Sequence, residues 1–124
     1  MSDLLVSPSR DTDWRFEPAE FVRALRARWA AAQVTTFEDP DFLAALDFSV
    51  ELGDGRHVDG NLSRDGQVVG LDGDLPEAAE VAAWVRSVVP PDQELILWDQ
   101  GYSFDVPLSE GIEPAAIVAA ATGR

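Results

Sequence analysis

The stretch LDFSVELGDGRHVDGNLS, Leu46–Ser63, carries the clearest structural pattern in the chain. Along its first half polar and apolar residues alternate, the apolar ones being Leu46, Phe48, Val50 and Leu52. A period of two places alternate side chains on one face of a half-buried β-strand. Asp54-Gly55 follows, a pair typical of the type I′ turn, which needs positive φ at both central positions. The stretch therefore predicts a hairpin with Arg56–Ser63 as its return strand.

Three further strands are predicted downstream. Asp65-Gly66 is a second turn signal and leads into Gln67–Leu71. Later in the chain, Glu94–Asp99 and Tyr102–Leu108 form a second hairpin around Gln100-Gly101. The middle of Glu94–Asp99 is apolar on both faces, a pattern that indicates either burial on both faces or a strand lying under a partner.

Three helices are predicted, each with proline in its first turn, where the missing N–H has no helical partner. They cover about Pro18–Gln33, Pro76–Val89 and Pro114–Ala121. The first carries an apolar stripe that includes Trp29, and the second one that includes Trp84. Aromatic residues at helical spacing on such stripes predict core positions.

The predicted order is α-β-β-β-α-β-β-α. Runs of antiparallel strands with helices on one face indicate the α+β class, as a two-layer sandwich with a five-stranded, mainly antiparallel sheet. We expect residues 1–124 to form a single domain, with residues 1–13 flexible.

The composition excludes several classes of protein. The 124 residues are 46% hydrophobic, enough to fold without covalent links, and the absence of cysteine excludes disulfides and thiolate metal sites. The N-terminus has neither a basic start nor a long apolar run, and no apolar stretch is long enough to span a membrane. We therefore expect a cytoplasmic protein. All nine basic residues are arginine, a bias typical of high-G+C bacterial genomes.

The net charge of −14 is unevenly distributed. Residues 1–33 contain five arginines and five acidic residues, whereas residues 34–124 contain four arginines and eighteen acidic residues. A field of this sign repels phosphate backbones, so nucleic-acid binding is not expected. It would attract a basic protein, although acidic surfaces also serve solubility alone.

No recognisable catalytic constellation is present, and the sequence indicates a protein that is not an enzyme. His57 is the single histidine, and no nucleophile elbow, phosphate loop or dinucleotide fingerprint occurs. Asp72-Gly73-Asp74 is the nearest approach to a calcium loop, but it lacks the required spacing and is interpreted as a turn with a helix cap. No metal and no cofactor are expected.

The order of elements over residues 18–122 resembles the type III secretion chaperone fold. That resemblance implies a small, acidic, cytoplasmic and commonly dimeric protein. The segment Asp72–Leu108 also looks like short uncharacterised proteins of high-G+C bacteria.

Two functional classes remain open. The first is a non-enzymatic protein-binding module of adaptor, chaperone-like or immunity type that uses an acidic surface. Its candidate contact residues are Trp98, Asp99, Tyr102, Asp105, Asp72 and Asp74. The second is a small-molecule binding domain with a pocket between sheet and helices, around Trp29, Trp84 and Trp98. A homodimer is a separate hypothesis, motivated by the two-sided apolar strand.

Overall fold

The structure, a computed structural model, describes residues 3–101 and 103–123. In this part of the chain it has seven strands and three helices. The strands are β1 (Leu4–Pro8), β2 (Gln33–Thr36), β3 (Ala44–Gly53), β4 (Arg56–Ser63), β5 (Val69–Asp72), β6 (Leu95–Asp99) and β7 (Asp105–Leu108). The helices are α1 (Pro18–Arg28), α2 (Leu75–Val88) and α3 (Pro114–Thr122). The strands form one sheet in the order β2-β3-β4-β5-β1-β6-β7, and every pairing is antiparallel.

The predicted hairpin between β3 and β4 is confirmed. Asp54 and Gly55 have φ values of 55° and 76°, the two positive angles that a type I′ turn requires. Phe48 and Val50 are buried, while Asp47 between the apolar positions is exposed. The alternation in the sequence therefore fixes which face of the hairpin meets the core.

The α+β class is confirmed, but the five-stranded sheet is wrong because two strands were not predicted. One of them is β1, which lies between β5 and β6 and pairs with both. Its five residues include an unbroken apolar run, Leu4 to Val6, and end in Pro8, so they show no clear alternation. Within β1, Leu4 and Val6 nevertheless face the core.

The second missed strand, β2, lies where the sequence predicted the end of helix 1. That helix ends at Arg28, and Trp29 is its non-helical cap residue. Ala30–Ala32 favour a helix by intrinsic propensity, but they form the turn that leads into β2, which pairs with β3 along its whole length. The observed order is thus β-α-β-β-β-β-α-β-β-α. The element order on which the resemblance to secretion chaperones depended is not the order of this chain.

The helices cover one face of the sheet. The Phe21 ring of α1 lies 5.6 Å from the Phe48 ring of β3 and 5.6 Å from the Trp84 ring of α2. Trp84 also meets Trp29 edge to face at 5.4 Å. Both tryptophans are buried, at 8% and 9% exposure, as the helical stripes predicted. Helix α2 contacts β4 and β1, and α3 contacts α2 and β7.

A glycine is required at one point in this layer. Gly60 lies directly opposite Phe48 in the β3–β4 pairing, and the Phe48 ring covers it. A Cβ at position 60 would overlap the Phe48 ring and would lie 2.7 Å from the Gly70 carbonyl oxygen. The aromatic ring thus occupies the space that a side chain on β4 would need.

We predict that Gly60→Ala destabilises the fold by about 1–3 kcal/mol, the usual cost of overpacking a core. Urea unfolding at 25 °C measures this change. Gly101→Ala is the matched control, because the nearest atom to its new Cβ is the Asp99 Oδ2 at an ordinary 3.7 Å. Equal unfolding midpoints for the two variants would show that the ring over Gly60 yields without cost.

Candidate partner-binding face

The side of the sheet opposite the helices, here called the outer face, is built from the second set of alternating residues. The pairing registers align one of its rows across all seven strands. From edge to edge the row reads Thr35, Asp47, Asn61, Gly70, Leu5, Trp98 and Asp105. Cross-strand partners point to the same face, so these side chains lie side by side.

One half of the outer face, on β3 to β5, is acidic. Its outward acidic residues are Asp47, Glu51, Asp59 and Asp72. Asp59 and Asp72 stand directly opposite each other, an arrangement that like charges make unfavourable. His57 lies beside them, with 3.8 Å between its Nε2 and the Asp59 Oδ2. In the described residues no arginine occupies an outward strand position on this face.

The other half, on β1, β6 and β7, is largely apolar. Leu5, Ile96 and Trp98 are half-buried there, and Pro107 is exposed. A depression of about 610 Å³ is lined by Ile96, Trp98, Phe104 and Asp105, with Ser7 and Ser103. The Trp98 indole N–H donates to the Ser7 hydroxyl at 3.0 Å, which fixes the ring against β1. A large amphipathic ring held in one orientation is the kind of side chain that anchors interfaces.

The structure brings some of the predicted contact residues together. Trp98 and Asp105 are cross-strand partners and line the same depression. Asp72 lies on the same face in the acidic half, where its Oδ1 accepts a hydrogen bond from the Asp3 N–H at 3.2 Å. Tyr102, another predicted contact residue, lies outside the described residues.

Asp74 and Asp99 have local structural positions instead. Asp74 is the N-cap residue of α2, the position that the turn-and-cap interpretation predicts, but its side chain makes no capping hydrogen bond; its carbonyl accepts the Ala78 N–H at 2.9 Å. Asp99 closes the β6–β7 turn: its Oδ1 accepts the Ser103 N–H at 2.7 Å and its Oδ2 accepts the Ser103 hydroxyl. These hydrogen bonds, that of the Ser103 hydroxyl first, lower the pKa of Asp99.

Strand β6 is apolar on both faces because one face packs into the core and the other belongs to the apolar half of the outer face. Leu95 and Leu97 point into the core and are 4% and 0% exposed, while Ile96 and Trp98 point to the outer face and remain half-buried. Of the two interpretations that the sequence left open, burial of the strand on both faces is therefore wrong. The strand is core on one side and open surface on the other.

The pocket between sheet and helices around three tryptophans is not formed. Trp29 and Trp84 are in edge-to-face contact within the packed core, whereas Trp98 lies across the sheet from them. The sequence had also missed Leu5 and Ser7, which complete the surface around Trp98. The apolar character of Leu4–Val6 was the available signal, but a run this short did not specify a strand.

Within residues 3–101 and 103–123, no group of three or more histidine, cysteine, aspartate or glutamate side chains is arranged to hold a metal ion. No helix in those residues is long and apolar enough to cross a membrane.

Comparison of the chain with protein-family models, with curated proteins and with solved structures found no match.

We predict that Asp99→Asn lowers the melting temperature at neutral pH, because the amide is a weaker acceptor for the N–H and hydroxyl of Ser103. The folded-state pKa of Asp99 lies below its ordinary value, so the carboxylate contributes stability above about pH 4, and this is lost as pH falls through the folded value. The difference between wild type and variant should accordingly narrow below about pH 4.

Melting curves between neutral pH and pH 2 test this expectation. Asp13→Asn is the control, since Asp13 is an exposed aspartate before α1 and outside the β6–β7 turn. Ser103→Ala should reproduce part of the Asp99→Asn effect. A constant difference between wild type and Asp99→Asn across the whole pH range would contradict the prediction.

Proposed function

We propose that this chain is a non-enzymatic protein-binding module that presents its outer face to a basic partner. The observation that carries the proposal is the outer face itself, one open sheet surface with an acidic half and an apolar half. A surface of this kind supplies charge for recognition and apolar area for affinity, which are the two components of ordinary protein interfaces.

The acidic half supports a cationic partner. Asp59 and Asp72 repel each other across the β4–β5 pairing, and the His57 Nε2 lies 3.8 Å from the Asp59 Oδ2. A lysine or arginine brought by a partner would replace that repulsion with attraction. Contacts of this kind accelerate association and weaken as the salt concentration rises.

The apolar half supports a stable contact rather than a transient charge encounter. Trp98 is held by its hydrogen bond to Ser7, so little side-chain entropy is lost when a partner covers it. Preorganised tryptophans are among the commonest residues whose truncation costs most of the binding energy. Asp105 beside it offers a carboxylate to a cation at the edge of the apolar area.

A capture experiment with charge-matched variants tests the proposal. The outer-face variant carries Asp47→Asn, Asp59→Asn and Asp72→Asn. The control variant also loses three charges but on exposed positions outside the sheet, with Asp13→Asn, Glu110→Gln and Glu113→Gln. Tagged proteins are incubated with native lysate at low and moderate salt, and the retained proteins are identified by mass spectrometry.

We expect wild type and control to retain the same basic protein at low salt and to release it at higher salt, and we expect the outer-face variant to lose it. Trp98→Ala should reduce capture more than it lowers the melting temperature. Equal retention by the outer-face and control variants would contradict the proposal.

The depression at Trp98 favours a second candidate function, the binding of a small ligand. Its volume of about 610 Å³ lies within the range of small-molecule sites, and it combines aromatic walls with the Asp105 carboxylate. The ligand chemistry that fits is a planar aromatic cation. Titration with such compounds, followed by tryptophan fluorescence in wild type and in Asp105→Asn, separates this candidate from protein binding: a response in the purified protein that needs Asp105 favours the ligand.

A further inference from the structure

An exposed apolar tip stands at the end of the β2–β3 hairpin. The tip is residues 37–43, and its side chains Phe42 and Leu43 are 48% and 91% exposed. Within the described residues these are the large apolar side chains that stand exposed. Large apolar residues placed together in solvent are a common mark of an interaction site.

The tip is held in one conformation. The Arg64 guanidinium donates hydrogen bonds to four of its surrounding carbonyls, those of Phe37 at 2.8 Å, Asp39 at 2.8 Å, Ala44 at 3.1 Å and Phe42 at 3.4 Å. The Phe37 and Phe42 rings also meet edge to face at 5.1 Å. A loop ordered in this way loses little entropy when it is bound.

The charge around the tip is negative. Glu38, Asp39 and Asp41 are all exposed beside the two apolar side chains. A surface suited to the tip is therefore apolar in its middle and has cationic side chains within reach of the three acidic residues.

The chain itself contains a surface of this kind on its helix side. A groove of about 530 Å³, here called the helix groove, lies along α1 and the end of α2. Its apolar lining is Trp14, Phe16, Ala24, Ala27, Val88 and Pro90. The charged residues that line it are two arginines, Arg15 and Arg23, and two glutamates, Glu17 and Glu20.

The charge of this region suits an acidic tip. The helix groove belongs mainly to residues 1–33, which are neutral, in a chain whose other residues carry the whole charge of −14. Arg26 and Arg28 are exposed further along α1. With Arg23, which lines the helix groove, they give α1 three exposed cations, opposite in sign to the acidic residues of the tip.

We propose that the tip of one copy of the chain docks into the helix groove of a second copy. The tip and the groove lie at the same end of the sheet, since the Phe16 N–H donates to the Gly66 carbonyl at 2.9 Å and Arg64, which holds the tip, is two residues away. That proximity is compatible with a two-fold arrangement in which each copy inserts its tip into the groove of the other. The tip and the helix groove share no residue with the outer-face row, and the proposal is independent of the proposed function.

Sedimentation and light scattering over a range of protein concentrations test this proposal. Leu43→Asp blocks the tip at a residue that is 91% exposed, and Ala27→Glu blocks the groove at an exposed helical position. Ala115→Glu adds the same charge at an exposed position of α3 and is the control. We expect a dimer for wild type and control, and at least a tenfold weaker dimer, or a monomer, for each blocked variant.

Mixing the two blocked variants gives the decisive result. The Ala27→Glu copy still offers an intact tip, and the Leu43→Asp copy still offers an intact groove, so an equimolar mixture should associate more strongly than either variant alone. Leu43→Ser repeats the tip test without adding charge, and circular dichroism melting confirms that each variant folds.

Three outcomes would overturn the proposal. They are a monomeric mass for wild type at every concentration, a dimer unaffected by both blocked variants, and a mixture that associates no better than its components. Loss of an external partner in Leu43→Asp while wild type remains monomeric would assign the tip to that partner instead.

Discussion

The seven strands form one sheet because β1 hydrogen-bonds on both of its sides. It pairs with β5 from Leu4 to Val6 and with β6 from Leu4 to Pro8, and in the described residues β5 and β6 do not pair with each other. The five residues of β1 therefore join the acidic strands β3 to β5 and the apolar hairpin β6–β7 into one continuous surface. Pro8 is compatible with this central position because the pairing with β5 has already ended at Val6.

A buried cation, Arg86, stabilises the connection between the end of α2 and the start of β6. Arg86 of α2 is 3% exposed and donates hydrogen bonds to the carbonyls of Gln93 at 2.7 Å, Val89 at 3.0 Å and Pro90 at 2.5 Å. It thus ties the end of α2 to the segment that enters β6. Burial lowers the pKa of Arg86, which still remains charged because an arginine titrates far above neutral pH. Removing the guanidinium would leave these carbonyls without a donor in the interior.

The sequence predicted correctly those elements that are specified by local signals. The Asp54-Gly55 turn and the prolines that open the helices act over a few residues, so the hairpin and the helix starts were predicted correctly to within about one residue, while the end of the first helix was not. The strands β1 and β2 depend on partners distant in the chain, and local propensity even favoured a helix at Ala30–Ala32. The same distinction applies to the candidate site. The position of Trp98 beside Asp105 follows from the local β6–β7 hairpin, whereas the hydrogen bond from Trp98 to Ser7 joins residues 91 positions apart and could not be predicted from local sequence.

The distribution of arginines explains how one small acidic chain could use two surfaces. Arg56 pairs with Glu80 at 2.7 Å, Arg64 is occupied by the carbonyls of the tip, and Arg86 is buried. The exposed arginines of α1 lie on the helix side, so the sheet separates them from the acidic half of the outer face. Within the described residues, this separation keeps the arginines of α1 from neutralising that face. A second copy that docks through the tip and the helix groove would likewise leave the acidic half of the outer face available to a basic partner.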